Sequence, residues 1–483
     1  MKKYITIAIS AIALSLAVSG CKGWLDINTN PNYPTNVDKS SLLPTVQMRT
    51  AEKVGYELTL VGSFWSQYIV QCSQTNQYYV IQTNNLTNSS SYFTSPWSVF
   101  YAQNLPSLKE MLQAYEGKEG YENFEVEAKT MLAYHLYLLT SLYDNVCYTE
   151  SFKTDNYRTT SGDFNPKFDT GEETQANLIA LLEEIRGIDS AALADAEEAH
   201  SSASVDMVFG GDTDNWIKFA NTLYLKVLLR DFAANQTKIS DLLAENNFLD
   251  TDDASFDNYE DKPDKSNPLY ESDRRQLNTT YNIRTCNSAL YELSGSDDRL
   301  EKFYTPVPGY SSYAGANYST RGSRTSTGQL KLAATDPVYF STVDEAEFLK
   351  AEAYARLGND TEPQTAYENA VKAAFARVGA SNAEACLAGD YAFATGSTED
   401  MLNCIITQKW LSNIKGMPIE SWFDINRTGY PERGAGKVLA AYSGYLASGT
   451  YPCRFMYSRT SYLYNENSPE PVALNVPMWW HKN

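Results

Sequence analysis

The chain has 483 residues, 43% of them hydrophobic, enough to bury a large core in one extended domain or in two or three lobes. A formal charge of −20 repels phosphate backbones and anionic lipid surfaces, which argues against nucleic acid as a partner. Of the seven cysteines, the six after Cys21 are scattered with no C-x-x-C pair; some could pair outside the cytoplasm, but they make no disulfide framework, and buried free thiols are expected.

Residues 1–20 read as a secretory leader. Lys2 and Lys3 precede the apolar run from Ile5 to Val18, which is too short and wrongly flanked to span a membrane. The leader ends Val18-Ser19-Gly20-Cys21, which resembles the lipobox of bacterial lipoproteins. That resemblance implies cleavage before Cys21, a diacylglycerol on its thiol, and anchorage by lipid with no spanning segment. Without the leader 37 basic side chains face 59 acidic ones, a charge of −22.

Residues 21–41 are rich in turn formers and read as a tether. The body of the fold is then 42–483. Residues 42–72 have a helical pattern, and Ser73 to Ser95 is polar and uncharged, a loop of ligand-binding composition. Pro96-Trp97 opens a further helix that runs to Tyr115. Helices at Tyr121–Tyr143 and Glu172–Ile185 form a hairpin, and Asp212 caps an amphipathic helix that reaches Arg230. From Leu249 to about residue 340 acids, prolines, glycines and tyrosines dominate; this is an irregular insertion with short strands, and Asp297–Leu300 is its one helical-looking piece.

The strongest element follows. Ala346, Leu349, Ala353 and Leu357 recur at steps of three and four, with Thr342 or Asp344 able to cap the start and Gly358 the end. A second stripe runs from Ala366 to Val378, so the pair folds as a helical hairpin. The spacing of Ala351, Tyr354 and Gly358 matches the first helix of a tetratricopeptide repeat, although the link is about three residues too long for the 34-residue unit. Met401–Lys415 is another helix, and from Pro452 the chain is irregular. The fold class is therefore mostly α, built on helical pairs, with a loop-rich lobe.

Signals for chemistry are absent. The three histidines, His135, His200 and His481, are isolated from one another, and neither H-E-x-x-H nor G-x-S-x-G occurs. Gly436-Lys437 lacks the Ser or Thr of a P-loop. The acidic run Asp250–Asp257 lacks the glycine and closing glutamate of an EF-hand; it reads as a solvated loop, with a structural calcium site as the alternative and no other cofactor implied.

Aromatic side chains are in excess, with 35 tyrosines and 8 tryptophans. A flat apolar face with a polar edge suits stacking on sugar rings. Trp65, Asn76, Tyr78, Tyr79, Tyr92 and Trp97 cluster in one stretch, and Tyr310 and Tyr313 in another; these are the candidate ligand contacts, each weighed against ordinary core packing.

Several stretches together resemble one family. Ala346 through Gly358, Gln408-Lys409-Trp410-Leu411 leading to Glu420-Ser421-Trp422-Phe423 and on to Pro431, and Pro452 through Tyr457 with Asn465-Glu466-Asn467 are similar to the SusD/RagB outer-membrane nutrient-binding lipoproteins. Leu142 through Glu150 and Asn30-Pro31-Asn32 match as well. The resemblance implies about four tetratricopeptide-like helix pairs, with Trp422 and Phe423 packing and Arg427 bonding to acids between helices. It also implies a surface-exposed outer-membrane lipoprotein, not an enzyme, that passes a glycan to a SusC-like TonB-dependent transporter. A peptide cargo is the alternative within the family, and a surface glycoside hydrolase the alternative outside it.

Overall fold

The computed structural model describes residues 38–153, 165–189, 191–192, 199–277, 282–293 and 295–482; the expected leader, Cys21 and the tether as far as residue 37 lie outside these. A 3-10 turn at Lys39–Ser41 leads into α1 (Leu42–Lys53), which passes through one π-helical turn at Val54–Leu58 into α2 (Thr59–Trp65). The helix expected to run to 72 ends at Trp65. Gln67 takes a left-handed φ of +60°, its side chain grips the backbone N–H and C=O of Ala440 (2.8 and 2.9 Å), and the chain continues as β1 (Ile69–Gln71).

The loop expected over Ser73–Ser95 contains α3 (Tyr79–Gln82) and the start of α4 (Ser91–Val99). Pro96 lies inside α4 rather than opening a helix. It has no N–H for the ladder, and beyond α4 the helix widens into a π turn at Phe100–Asn104 before α5 (Leu105–Tyr115). The hairpin of α6 (Glu122–Tyr143) and α7 (Gly171–Arg186) forms as expected, with a capping box in which Thr170 and Glu173 satisfy each other's backbone N–H. Asp212 caps α8 (Thr213–Leu228). A helix beyond the sequence expectation follows, α9 (Phe232–Glu245), capped by Asp231 and closed by Asn246 at φ +49°.

The insertion carries more helix than expected. Its elements are β2 (Ala254–Phe256), α10 (Pro268–Tyr270), a π turn at Glu271–Gln276, β3 (Ile283–Thr285), α11 (Asn287–Glu292), α12 (Leu300–Phe303), β4 (Tyr304–Thr305), β5 (Gln329–Leu330) and β6 (Val338–Ser341). The antiparallel pair of β1 with β3 ties it to the helical body, while β2 with β6 and β4 with β5 pair within the insertion itself. Then come α13 (Val343–Leu357) and α14 (Glu362–Arg377), the predicted hairpin. Thr342 accepts the Glu345 N–H (3.2 Å), and Gly358 sits at φ +77°. Short α15 (Ala383–Leu387) precedes α16 (Thr398–Ser412), α17 (Pro418–Thr428) and, within the C-terminal stretch expected to be irregular, α18 (Arg459–Tyr464). The six cysteines of the described residues are free thiols, and Cys72, Cys147, Cys286 and Cys386 are buried.

Where α6, α8, α13, α16 and α17 meet, the core holds a chain of alternating charges. Lys226 lies between Glu345 (2.7 Å) and Glu420 (3.3 Å); Lys409 lies between Asp424 (2.9 Å) and Glu345 (3.4 Å). Arg427 donates to Glu352 and Asp424 (2.7 and 2.8 Å), and the Tyr137 hydroxyl donates to Glu420 (2.6 Å). Burial alone would lower the Lys409 pKa, but Asp424 and Glu345 outweigh it and hold the ammonium charged. Burial likewise pushes Glu352 up, yet Arg427 and Arg356 bring its carboxyl down to about 2. Trp422 packs against Trp65 in a tilted arrangement with ring centres 4.8 Å apart. The packing and bonding roles expected of Trp422 and Arg427 are met.

His135 on α6 is fully buried and bonds Thr50, Asn104 and the Met131 carbonyl. Burial lowers its pKa to about 4. Since the unfolded chain takes up that proton near pH 6.5, stability is present above that value and lost as pH falls towards 4, by on the order of 2–3 kcal/mol. In urea unfolding measured from pH 7 to 4, His135→Gln should flatten this part of the acid slope; an unchanged slope removes His135 as its source.

Candidate functional site

Glutamine side chains set the geometry of the loops around β1. Gln71 accepts the Tyr78 N–H (2.7 Å) and donates to Thr75 (2.7 Å). Gln82 accepts the Gln71 N–H (2.7 Å) and donates to the carbonyls of Tyr318 and Thr320 (both 2.7 Å). Gln67 holds Ala440 and also accepts the Ser288 hydroxyl (2.7 Å). All three are buried. They fix residues 72–85, 318–321 and 438–445 against one another although hundreds of positions separate them in sequence. Gly444, at φ +59°, brings its backbone so close to Thr83 that a Cβ would lie 2.2 Å from the Thr83 oxygen, which lets Tyr445 donate its N–H there (2.8 Å).

Three tyrosines emerge from this frame. Tyr79 is half-buried under the Arg321 guanidinium, 4.6 Å from its ring centre. Arg321 is itself committed to the Cys72 carbonyl (3.0 Å), the Thr75 carbonyl and Asn76 Oδ1 (2.6 Å). Tyr442 packs its ring edge-on against Tyr318 at 5.7 Å, and its pKa is raised by partial burial and by the neighbouring phenols Tyr79 and Tyr445. Tyr445 is 73% exposed. The three phenols therefore converge on one rigid surface with exposed Asn76 and Gln77 beside them, an arrangement that can stack on flat apolar faces while amides and hydroxyls bond polar groups.

The other candidates divide. Trp65 is not at this surface: it is 2% exposed, packed among Trp422, Phe93 and Phe455, and its indole N–H donates to the Ile81 carbonyl. Tyr78 is fully buried against Phe64 (6.3 Å), and Tyr92 is buried beside Tyr56 and Glu57. These three serve the core: Trp65 and Tyr92 lie on the inward faces of α2 and α4, and Tyr78 turns inward just ahead of α3, which composition alone does not reveal. Trp97 is half-buried among Tyr101 and Tyr143 (4.4 and 4.8 Å) and lines a separate groove of about 770 Å³ with Ser95, Arg459 and Leu463. Tyr310, 70% exposed, lies in a turn closed by the Val307 N–H to Ser312 carbonyl bond (2.9 Å), with the partly buried Tyr313 just after it. Tyr442 and Tyr445 were missed in the sequence. Among the described residues no group of three or more His, Cys, Asp or Glu side chains is arranged to hold a metal ion. Asp212, next to the acidic run, caps α8 through the Asn215 N–H (3.0 Å).

A family model described as SusD-like, starch-binding and associating with the outer membrane, matches residues 31–458. The chain belongs to the SusD-like family. Solved structures agree in fold. A chitin-binding SusD homologue from Flavobacterium johnsoniae superposes with a TM-score of 0.74 at 20% identity, covering 92% of this chain and 98% of its own. SusD homologues from Bacteroides thetaiotaomicron (0.72, 21%, 93% and 100%) and Bacteroides uniformis (0.71, 21%, 92% and 99%) do likewise. No curated protein matches the sequence. This SusD-like protein is thus a nutrient-binding protein associated with the outer membrane, on a helical scaffold of tetratricopeptide type. Among the described residues no helix is long and apolar enough to cross a membrane.

Proposed function

We propose that this protein captures an oligosaccharide or polysaccharide on the Tyr79–Tyr442–Tyr445 surface and hands it, without breaking a bond, to a SusC-like TonB-dependent transporter. On this reading lipid on Cys21 anchors it at the cell surface. The observation that carries the reading is the convergence of three phenols on loops locked by buried glutamines, a preformed stacking surface that costs little ordering entropy on binding. Arg321 is occupied by carbonyls and by Asn76, so the surface offers no uncommitted guanidinium to a peptide carboxylate; this favours a neutral glycan over peptide.

In a native gel cast with the polysaccharide, the protein should be retarded while generating no new reducing ends. Tyr442→Ala and Tyr445→Ala should each weaken binding by about 1–3 kcal/mol. Retardation that survives both substitutions together moves the site elsewhere, to the Trp97 groove first. Release of reducing ends would replace the binder with a hydrolase, and retention of peptides in place of glycans would replace the cargo.

A further inference from the structure

Between the insertion and the helical body lies a cleft of about 420 Å³ that shares no residue with the tyrosine surface. Its walls are aliphatic, from Val54, Leu269, Leu330, Leu332, Val338 and Ile414, and its volume suits a small organic molecule. Its charge is opposite to that of the chain as a whole. Lys302, Lys331, Arg377 and Lys415 line it against a single acid, Asp336, in a protein with 59 acidic and 39 basic side chains.

Three of these cations are already balanced. Arg377 donates to Asp344 (2.8 Å), Lys415 pairs with Asp336 (2.9 Å) and Lys302 with Glu301 (3.1 Å). Lys331 differs. Its ammonium reaches only the Glu301 main-chain carbonyl (3.2 Å), and no carboxylate pairs with it among the described residues. Its backbone is fixed, since its N–H donates to the Phe303 carbonyl (2.8 Å) beside the β4 and β5 pair. An apolar recess with one uncompensated, exposed cation at its edge is complementary to an anion carrying an aliphatic body: the chain displaces water from the leucine and valine walls while the anionic head makes a charge-assisted hydrogen bond. Rings of hydroxyls, as on a sugar, would leave polar groups unpaired against these walls.

We infer that this cleft is a second ligand site, which takes a small aliphatic carboxylate with its head group on Lys331. The test uses the Cys21→Ser chain, which needs no detergent and keeps every described residue, titrated calorimetrically with octanoate and with octanol. Octanoate should bind saturably at one site, more tightly than octanol. Lys331→Gln should weaken octanoate roughly tenfold and leave octanol unchanged. Ala333→Trp, from an exposed turn position on the cleft wall, should abolish both without lowering the unfolding midpoint. Absence of saturable octanoate binding, equal affinity for octanol, or indifference to Lys331→Gln and Ala333→Trp each overturns the inference. Retardation by polysaccharide should persist in both variants, so failure here stays distinct from failure of the glycan reading.

Discussion

Lys409→Met should lower the stability of the folded protein by about 3–5 kcal/mol, the cost of leaving buried carboxylates without their counter-charge. The residue is 2% exposed and its side chain stands between Asp424 and Glu345, and methionine fills nearly the same volume, so the loss reports charge rather than a cavity. The urea midpoint should fall with little change in slope. Removing a partner as well, as in Lys409→Met with Asp424→Leu, should cost less than the sum of the two single changes, because the stranded acid goes with the base. Equal and additive losses would mean that the two groups do not act as a pair. The arrangement also explains why the α16 and α17 motifs are dense in charge yet sit in the core: Lys409, Glu420, Asp424 and Arg427 tie five helices together at fixed register.

The helical scaffold was legible because its signals are local. Thr342 and Gly358 mark the ends of α13 as their side-chain and backbone chemistry predicts, and the Ala346, Leu349 and Ala353 stripe is buried. Helix α9 carried the same kind of signals in Asp231 and Asn246 and was still missed; its apolar stripe is narrow, with only Ile239, Leu242 and Leu243 buried. The insertion was not legible as structure. Its strands are two to four residues long and owe their existence to partners far away, as β1 does to β3 across more than two hundred positions. Asp297–Leu300, read as a short helical piece, leads into α12 at Leu300, and the sequence did not show that Asp297 and Arg299 form a buried ion pair at 2.8 Å ahead of it. The candidate surface was half legible for the same reason. The polar loop containing Tyr79 stands out by composition, whereas Tyr442 and Tyr445 lie in an ordinary-looking glycine- and serine-containing segment and reach the loop through contacts at Gln67, Thr83, Asn84 and Gly444.

Adjacent tyrosines give the clearest separation of core from surface. Tyr78→Ala should destabilise the protein by about 3–5 kcal/mol, as expected for deleting a fully buried aromatic ring packed on Phe64. Any loss of ligand affinity in that variant should follow from loss of folded protein and vanish once the folded fraction is corrected for. Tyr79→Ala should leave the urea midpoint nearly unchanged, because its half-exposed ring gives up chiefly the Arg321 cation–π contact, worth about 0.5–1 kcal/mol. Its affinity for glycan should fall by about 1–3 kcal/mol. Both measurements are needed on both variants. If Tyr79→Ala binds glycan as the parent does, the stacking surface loses the ring that carries Arg321 and neighbours the Tyr442 phenol; if Tyr78→Ala keeps its stability, the buried position assigned to that ring is wrong, and the inward and outward faces of the loop exchange places.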